Sequence, residues 1–174
     1  MADGHMDLSC TGLTVRMQAH TPAAALRYLS SEGAFAAAAR AAGAPLPPSQ
    51  GALDLAGELL LAWRSPSETL CLARSAQRLE QLQRAFTGVA DGCFVELTGA
   101  LSVAHVRGER IAELLARLGG SSSLPPLGGA RRGRMADVPV LALCVRPEEV
   151  LLVIERSHAE HLWGWMRETL LDFP

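Results

Sequence analysis

The stretches ELLLAWRSPSETLCLA at residues 58–73 and VPVLALCVRPEEVLLVIE at residues 138–155 share one pattern. In each, two apolar runs flank a short polar turn that contains a proline. Apolar runs of this length with a turn between them predict β-hairpins whose strands are largely buried. Arg74-Ser75 follows the first hairpin and Arg156-Ser157 follows the second, and each dipeptide opens a predicted helix. The chain therefore carries the same hairpin and helix twice.

The same order of elements precedes both hairpins. A predicted strand at residues 25–29, a helix through FAAAARAA that Ser31 can cap, and Leu46-Pro47-Pro48 lead into the first. VAHVRG, a helix from about residue 109 and Leu124-Pro125-Pro126 lead into the second. A strand, CFVEL at residues 93–97, connects the copies. This internal repeat predicts an α+β fold, a tandem duplication of a β-α-β-β-α unit with antiparallel sheets and helices packed on them.

The repeat also sets the expected domain organisation. We expect an N-terminal segment at residues 1–24, a first half at residues 25–90 and a second half at residues 91–174, together forming one compact domain. The stretch LTVRMQ near the start fits either an added edge strand or a tail that binds a partner. A chain of 174 residues is long enough for a substantial core, since domains of about 150 residues bury about 70% of their unfolded surface.

Composition and charge exclude several functions. Hydrophobic residues make up 49% and charged residues 20% of the chain, which is typical of a soluble globular protein. A formal net charge of −2 provides no broad positive field, so neither nucleic acid nor a membrane is an expected partner. All 16 basic residues are arginine, which excludes a P-loop lysine, a Schiff-base lysine and a Ser-x-x-Lys nucleophile. No secretion signal or membrane span is evident, so we expect a cytoplasmic protein.

No motif in the sequence predicts a catalytic or metal site. The four cysteines, which form no CxxC pair, are Cys10, Cys71, Cys93 and Cys144. His158 and His161 lie on one helical face, but without a third ligand nearby they are better explained as solvated or interfacial residues. We therefore expect no catalytic, cofactor-binding or metal-binding residue in this chain.

The cluster Arg131, Arg132 and Arg134 is the sharpest concentration of charge. Glycines beside it suggest a flexible loop, in which the guanidinium groups can grip a phosphate or carboxylate. A solvated loop or a salt-bridged subunit contact explains the cluster better, and binding to an anion or nucleic acid is the weaker alternative. We therefore assign the three arginines to a partner interface.

Two tryptophans on the last predicted helix receive different roles. Trp165 is in register with Leu162 and Met166, so we expect it in the core. Trp163 points elsewhere and becomes a candidate for the partner interface, where tryptophan is often an anchor.

Four stretches resemble one family, the gamma subunit of heterotetrameric sarcosine oxidase, whose fold is related to the folate-binding region of the glycine-cleavage T-protein. They are LLAWRSPSETLCLA, FVELTGALSVAHVRGERIAELLARLGG, MADVPVLALCV and LLVIERSHAEHLWGWMRETL. The last two stretches match best, the final one through Arg156, Ser157, His158, Leu162 and Trp163. The resemblance spans about residues 25–172 and departs where residues 65–69 replace the family's Gly-Pro-Asp-Glu-Trp turn.

The resemblance implies a non-catalytic structural subunit with no activity alone. In such an oxidase the gamma chain packs directly on the large alpha subunit, and beta and delta subunits complete the complex. FAD, FMN, NAD, tetrahydrofolate and zinc are then expected in the partner subunits and none in this chain. The complex oxidises sarcosine or a related N-methyl amine and passes the one-carbon unit to tetrahydrofolate. The alternative is a stand-alone folate-binding or one-carbon transfer protein of the T-protein-like fold.

Overall fold

The computed structural model describes residues 6–173, which form eleven strands and four helices. In chain order these are β1 (Met6–Cys10), β2 (Leu13–Gln18), β3 (Ala23–Tyr28), α1 (Ala34–Ala41), β4 (Ala52–Leu55), β5 (Leu59–Ser65), β6 (Glu68–Ala73), α2 (Ala76–Ala85), β7 (Gly92–Glu96), β8 (Leu101–Arg107), α3 (Ile111–Gly119), β9 (Ala130–Met135), β10 (Val138–Arg146), β11 (Glu149–Glu155) and α4 (Arg156–Leu171). The predicted α+β class is confirmed, because both sheets are antiparallel and helices pack on them.

The chain divides into two units. Residues 21–98 form one, which we call the central unit, and residues 6–20 together with 99–173 form the other, the split unit. The central unit has a five-stranded sheet in the order β4-β5-β6-β3-β7. The split unit has a six-stranded sheet in the order β1-β2-β8-β11-β10-β9.

Each unit has its own apolar core between one sheet face and two helices. In the central unit Leu79 and Leu82 of α2 pack with Phe35 of α1 against alternate residues of β3, β5 and β6. In the split unit α3 buries Ile111, Leu114, Leu115 and Leu118, the four positions that the sequence pattern predicts. The remaining residues of that core come from α4, the sheet and Phe173.

The duplication extends to backbone details. Gly51 donates its N–H to the Pro48 carbonyl at 2.9 Å, and Gly129 donates to the Pro126 carbonyl at 2.8 Å. A β-carbon on either glycine would lie 2.7 Å from an atom of the proline three residues earlier, so both turns require glycine. The first strand of each hairpin also carries a bulge shortly before its turn.

The repeat contains one strand more than predicted, because β4 and β9 precede the two hairpins and make each copy β-α-β-β-β-α. Both are edge strands, which need only one neighbour and so carry little of the apolar alternation that reveals a strand. The opening dipeptides also differ. Ser75 caps α2, accepting the Arg78 N–H at 3.2 Å, whereas Glu155 precedes α4 and Arg156 lies inside that helix.

The unit boundaries also differ from the expected segments 1–24, 25–90 and 91–174. The strand at residues 92–96 pairs with β3 and so belongs to the central unit. The start of the chain supplies two strands to the split unit, where LTVRMQ lies between β1 and β8 and is not an edge strand. Pairing between strands distant in sequence determines both assignments.

The N-terminus of α1 is also built by a residue far along the chain. Asp91 accepts the N–H groups of Ala34 and Phe35, each at 2.9 Å, and so takes the capping role expected of Ser31. The carboxylate fits because residue 33 is glycine. A β-carbon on any other residue at this position would lie 1.9 Å from the Asp91 Oδ2 atom. This contact joins β7 to the rest of the central unit.

Candidate functional site

An arginine and a glutamate face each other at the same place in both units. In the central unit Arg27 of β3 lies opposite Glu68 of β6, with Nε 2.8 Å from Oε2. In the split unit Arg107 of β8 lies opposite Glu149 of β11, with Nη2 2.7 Å from Oε1. The carboxylate side chains are 16% and 11% exposed, and the arginines about 60%. We call these two places the paired corners.

A second arginine reaches each carboxylate from the end of the first strand of the hairpin. Arg64 approaches Glu68 to 2.8 Å, and Arg146 approaches Glu149 to 3.3 Å. Arg64 is the extra residue of the β-bulge in β5, whereas Arg146 directly follows the bulge in β10 and pairs in register with Glu149. Each carboxylate therefore lies between two guanidinium groups, and each corner carries a local excess of positive charge.

The corner of the split unit contains additional polar residues. Arg16 of β2 pairs in register with His105 of β8, whereas the equivalent positions of the central unit hold Val95 and Ala25. The central unit forms the same strand pairs with apolar residues, so the fold does not require the arginine and the histidine. This difference between the copies makes the split-unit corner the best candidate for a binding site.

His105 is held by two neighbours. Its Nε2 atom lies 3.2 Å from Oε1 of Gln18, and its Nδ1 atom lies 3.8 Å from Oε1 of Glu149. Burial lowers the pKa of His105, the nearby Arg107 cation lowers it further, and Glu149 opposes the shift without cancelling it. The imidazole is therefore neutral at pH 7.

A pocket of 440 Å³ opens beside this histidine. Its lining is largely polar and consists of Asp7, Leu8, Ser9, Thr14, Val15, Arg16, Gln18, His105 and Arg107. Arg16 is paired with Asp7 at 2.9 Å, and this pair raises the pKa of the guanidinium. Such a site can orient a small polar or anionic group by hydrogen bonds.

The three arginines predicted for a partner interface lie on β9, an edge strand of the split unit, and not on a flexible loop. Arg131 donates to the Ser122 carbonyl and Arg134 to the Asp137 carbonyl. Arg132 is exposed. Charges on an edge strand discourage pairing with other chains, and this position explains the cluster without a ligand. Their role at an interface remains a prediction.

The two tryptophans of α4 exchange their expected environments. Trp165, expected in the core, is 54% exposed, whereas Trp163 is partly buried against the core. The buried stripe of α4 runs through Ala159, Leu162, Met166 and Leu170. At about 100° per residue, Trp163 lies about 55° from the centre of this stripe and Trp165 about 105°. The surface assigned to Trp163 therefore fits Trp165 better.

The remaining candidates can be placed as well. Within residues 6–173 all four cysteines are free thiols, and burial raises the pKa of Cys71 to about 12. The same part of the chain contains no group of three or more histidine, cysteine or acidic residues arranged to hold a metal ion. The His161 ring lies 3.0 Å from the Ala136 carbonyl. None of the helices in residues 6–173 has the length and apolar character needed to span a membrane.

Solved structures that share this fold include two that match over most of this chain. One is a chain of the heterotetrameric sarcosine oxidase from Corynebacterium sp. U-96, in complex with pyrrole 2-carboxylate; it matches with a TM-score of 0.84 at 24% identity, over 96% of this chain and 88% of that chain. The other is the glycine cleavage system aminomethyltransferase T from Bartonella henselae, with a TM-score of 0.61 at 16% identity, over 89% of this chain and 44% of that chain.

No protein-family model matches the sequence. No curated protein sequence matches it either. The structural likenesses confirm, at the level of the fold, the resemblance that the strand and helix patterns predict. The chain therefore has the fold of a heterotetrameric sarcosine oxidase chain, shared with part of the glycine-cleavage aminomethyltransferase.

Proposed function

We propose that this chain is a non-catalytic gamma-type subunit of a heterotetrameric, flavin-dependent oxidase that acts on sarcosine or a related N-methyl amine. The observation that carries the proposal is the extent of the likeness to the oxidase chain, 96% of this chain and 88% of the other. A match that spans both chains almost entirely supports an equivalent role more strongly than a match to part of a larger protein.

The alpha subunit is the proposed direct partner, with beta and delta subunits in the same complex. FAD, FMN, NAD, tetrahydrofolate and zinc belong to those partner subunits in this proposal. The side chains of the paired corners support a structural role, because the charged groups there bind one another within each unit. Four free thiols suit the reducing cytoplasm, which is the proposed location of the complex.

Co-expression with the large-subunit gene from the same genome tests the proposal. The tagged chain is purified by affinity, and the complex is examined for subunit stoichiometry and flavin absorbance. We expect a yellow complex with one copy of each chain, and a colourless chain when the tagged protein is expressed alone. A tagged chain that stays solitary and colourless in the presence of all the candidate partners contradicts the proposal.

A stand-alone folate-binding or one-carbon transfer protein is the second candidate. It is favoured by the aminomethyltransferase likeness over 89% of this chain and by the polar pocket beside His105. Titration of the isolated chain with tetrahydrofolate separates the two candidates. Saturable binding that is lost in Arg16→Ala and His105→Ala favours this second function, and no saturable binding removes it.

A further inference from the structure

The two sheets differ by one strand. In the split unit β2 pairs with β8, and in the central unit β7 occupies the equivalent position beside β3. The registers correspond, since Thr14 lies opposite Arg107 and Cys93 lies opposite Arg27. The outer side of β2 is covered by β1, whereas the five-stranded sheet ends at β7. The place that β1 fills in one unit is thus open in the other, as far as residues 6–173 show.

The outer side of β7 presents hydrogen-bonding groups of the backbone. Leu29 donates its N–H to the Asp91 carbonyl, and Leu97 donates its N–H to the Ala23 carbonyl. The backbone N–H and C=O groups of the odd-numbered residues in this segment therefore point toward β3. Alternate residues of an antiparallel strand point the other way. The N–H and C=O groups of Gly92, Phe94 and Glu96 therefore point away from the sheet, and no strand within residues 6–173 pairs with them.

The β7 edge, whose one charged residue is Glu96 at its end, is less protected than the edges at β9 and β4. The outer strand β9 carries three arginines, and β4 is only four residues long. In contrast β7 reads GCFVE, with a partly buried Phe94 and an exposed Cys93. Because an open apolar edge invites pairing with another chain, soluble proteins usually cover, shorten or charge it. An edge left in this state is typical of a surface that another strand occupies.

A pocket lies beside the same edge. It has a volume of 630 Å³ and is lined by Arg27, Tyr28, Leu29, Ser67, Glu68, Asp91, Gly92 and Cys93. The side chain of Leu29, at the end of β3, is 87% exposed. An exposed leucine beside a pocket at an open strand edge supplies the side-chain contacts that strand addition requires for specificity.

We propose that β7 is the docking edge for an extended segment of the partner subunit, which adds antiparallel to β7 as β1 adds to β2. This inference rests on the proposed subunit function and names the surface that carries it. In β1, Leu8 lies opposite Val15, the counterpart of Phe94, and packs against the core. The docking segment therefore carries an apolar residue opposite Phe94.

Charge defines a second position of the docking segment. Glu96 is exposed, and its counterpart Met17 lies opposite Met6 of β1. The segment that docks on β7 carries a basic residue opposite Glu96, which complements its charge. A second copy of β7 cannot provide one, because residues 85–104 contain no arginine or lysine. The proposed subunit function assigns the docking strand to the partner subunit. Pairing of β7 with β9 of a second copy, which carries three arginines, is the alternative that a dimer of the isolated chain would reveal.

Amide hydrogen exchange on the isolated chain and on the co-expressed complex tests this proposal. We expect the amides of Gly92, Phe94 and Glu96 to exchange readily in the isolated chain and to be protected in the complex. Glu96→Arg is expected to weaken the complex about tenfold or more, because it opposes like charges at the docking edge. Glu80→Arg, at an exposed position of α2 in the same unit, is the matched charge reversal and is expected to leave the affinity unchanged.

The outcomes separate the two proposals. If the wild-type chain forms no complex, the proposed function fails. If the complex forms while the three amides stay unprotected and Glu96→Arg binds like the wild type, the docking edge is wrong and the subunit role stands. If the isolated chain forms a dimer in which the β7 amides are protected, the proposal that a different subunit docks on β7 is wrong. Equal melting temperatures of Glu96→Arg and the wild type show that lost binding is not lost folding.

Discussion

The two units show which polar residues the fold requires. Both place a glutamate between two arginines at the same corner, Arg27 with Glu68 in one unit and Arg107 with Glu149 in the other. Only the split unit adds His105 to this arrangement, and the equivalent position of the central unit holds an alanine. A feature present in both copies contributes to the shared architecture, whereas a feature present in one copy points to a role specific to that unit.

Matched truncations of the two cores have the largest expected effect. Leu82 of α2 and Leu114 of α3 are both fully buried, each in the core of its own unit. Replacing either with alanine should lower the free energy of unfolding by about 2–5 kcal/mol, since the lost contacts leave a cavity. Denaturant unfolding measures the cost, and hydrogen exchange shows where protection falls. If hydrogen-exchange protection falls only in the unit that carries no substitution, the assignment of separate cores is contradicted.

Glu68→Gln and Glu149→Gln remove the negative charge from one corner each. Three of the four arginines that surround them are about 60% exposed, so screening limits the expected loss to about 1 kcal/mol of unfolding free energy in both variants. Similar costs would support a shared structural role. Asp7→Asn, which breaks the exposed pair with Arg16, is the control and should have a smaller effect. If Glu68→Gln leaves the free energy of unfolding unchanged while Glu149→Gln lowers it strongly, the stabilising role of the ion pair is specific to the split unit.

His105 gives the split unit a dependence on pH that the central corner lacks. Its pKa is lowered in the folded state, so the unfolded chain binds more protons as pH falls through about 6.5, the usual histidine value. Its contribution to stability is therefore complete above that pH and is lost on acidification. His105→Ala copies residue 25 and should flatten the pH dependence of the free energy of unfolding between neutral pH and mild acid. An unchanged slope in this variant would show that the histidine is not strained by burial.

Replacing the tryptophans of α4 has the smallest expected effect. It tests how α4 differs from α2, the final helix of the other copy of the repeat. If α2 and α4 are aligned on the residues that precede them, Trp163 and Trp165 occupy the places of Gln83 and Ala85. Trp165→Ala should change the free energy of unfolding by no more than about 0.5 kcal/mol, since the side chain is exposed. Trp163→Ala should cost about 1–3 kcal/mol through lost burial. Equal costs would contradict the orientation of α4.

The sequence predicts the parts of this fold that carry regular apolar patterns. The two hairpins and the inner face of α3 are such parts, because burial on one face leaves a period that can be read along the chain. The strands β4 and β9 are not predicted, because neither shows that period. The edge strand β4 has only four residues, and the edge strand β9 contains three arginines. The capping of α1 by Asp91 is not predicted either, because the N–H groups that it accepts lie 56 and 57 residues away in the chain.

The candidate site is harder to predict than the fold. His105 lies inside VAHVRG, where a single polar residue in an apolar strand gives no sign of Gln18 or Arg16 beside it. The neighbours come from β2, whose pairing with β8 joins residues almost ninety positions apart. Alignment of the two repeats provides the available signal, since it sets His105 against Ala25. The interface prediction for the arginine cluster rests on charge density alone, which does not distinguish an edge strand from a binding loop.

The proposed role of this chain is that of a subunit of a flavin-dependent oxidase, which contributes structure to the complex without catalysing the reaction. The most direct measurement is the mass and flavin content of the complex formed when the chain is co-expressed with the large-subunit gene from the same genome. We expect a stoichiometric complex whose flavin is bound by the partner and which remains yellow after Glu149→Gln. A monomeric chain without flavin, together with saturable binding of tetrahydrofolate, would contradict it.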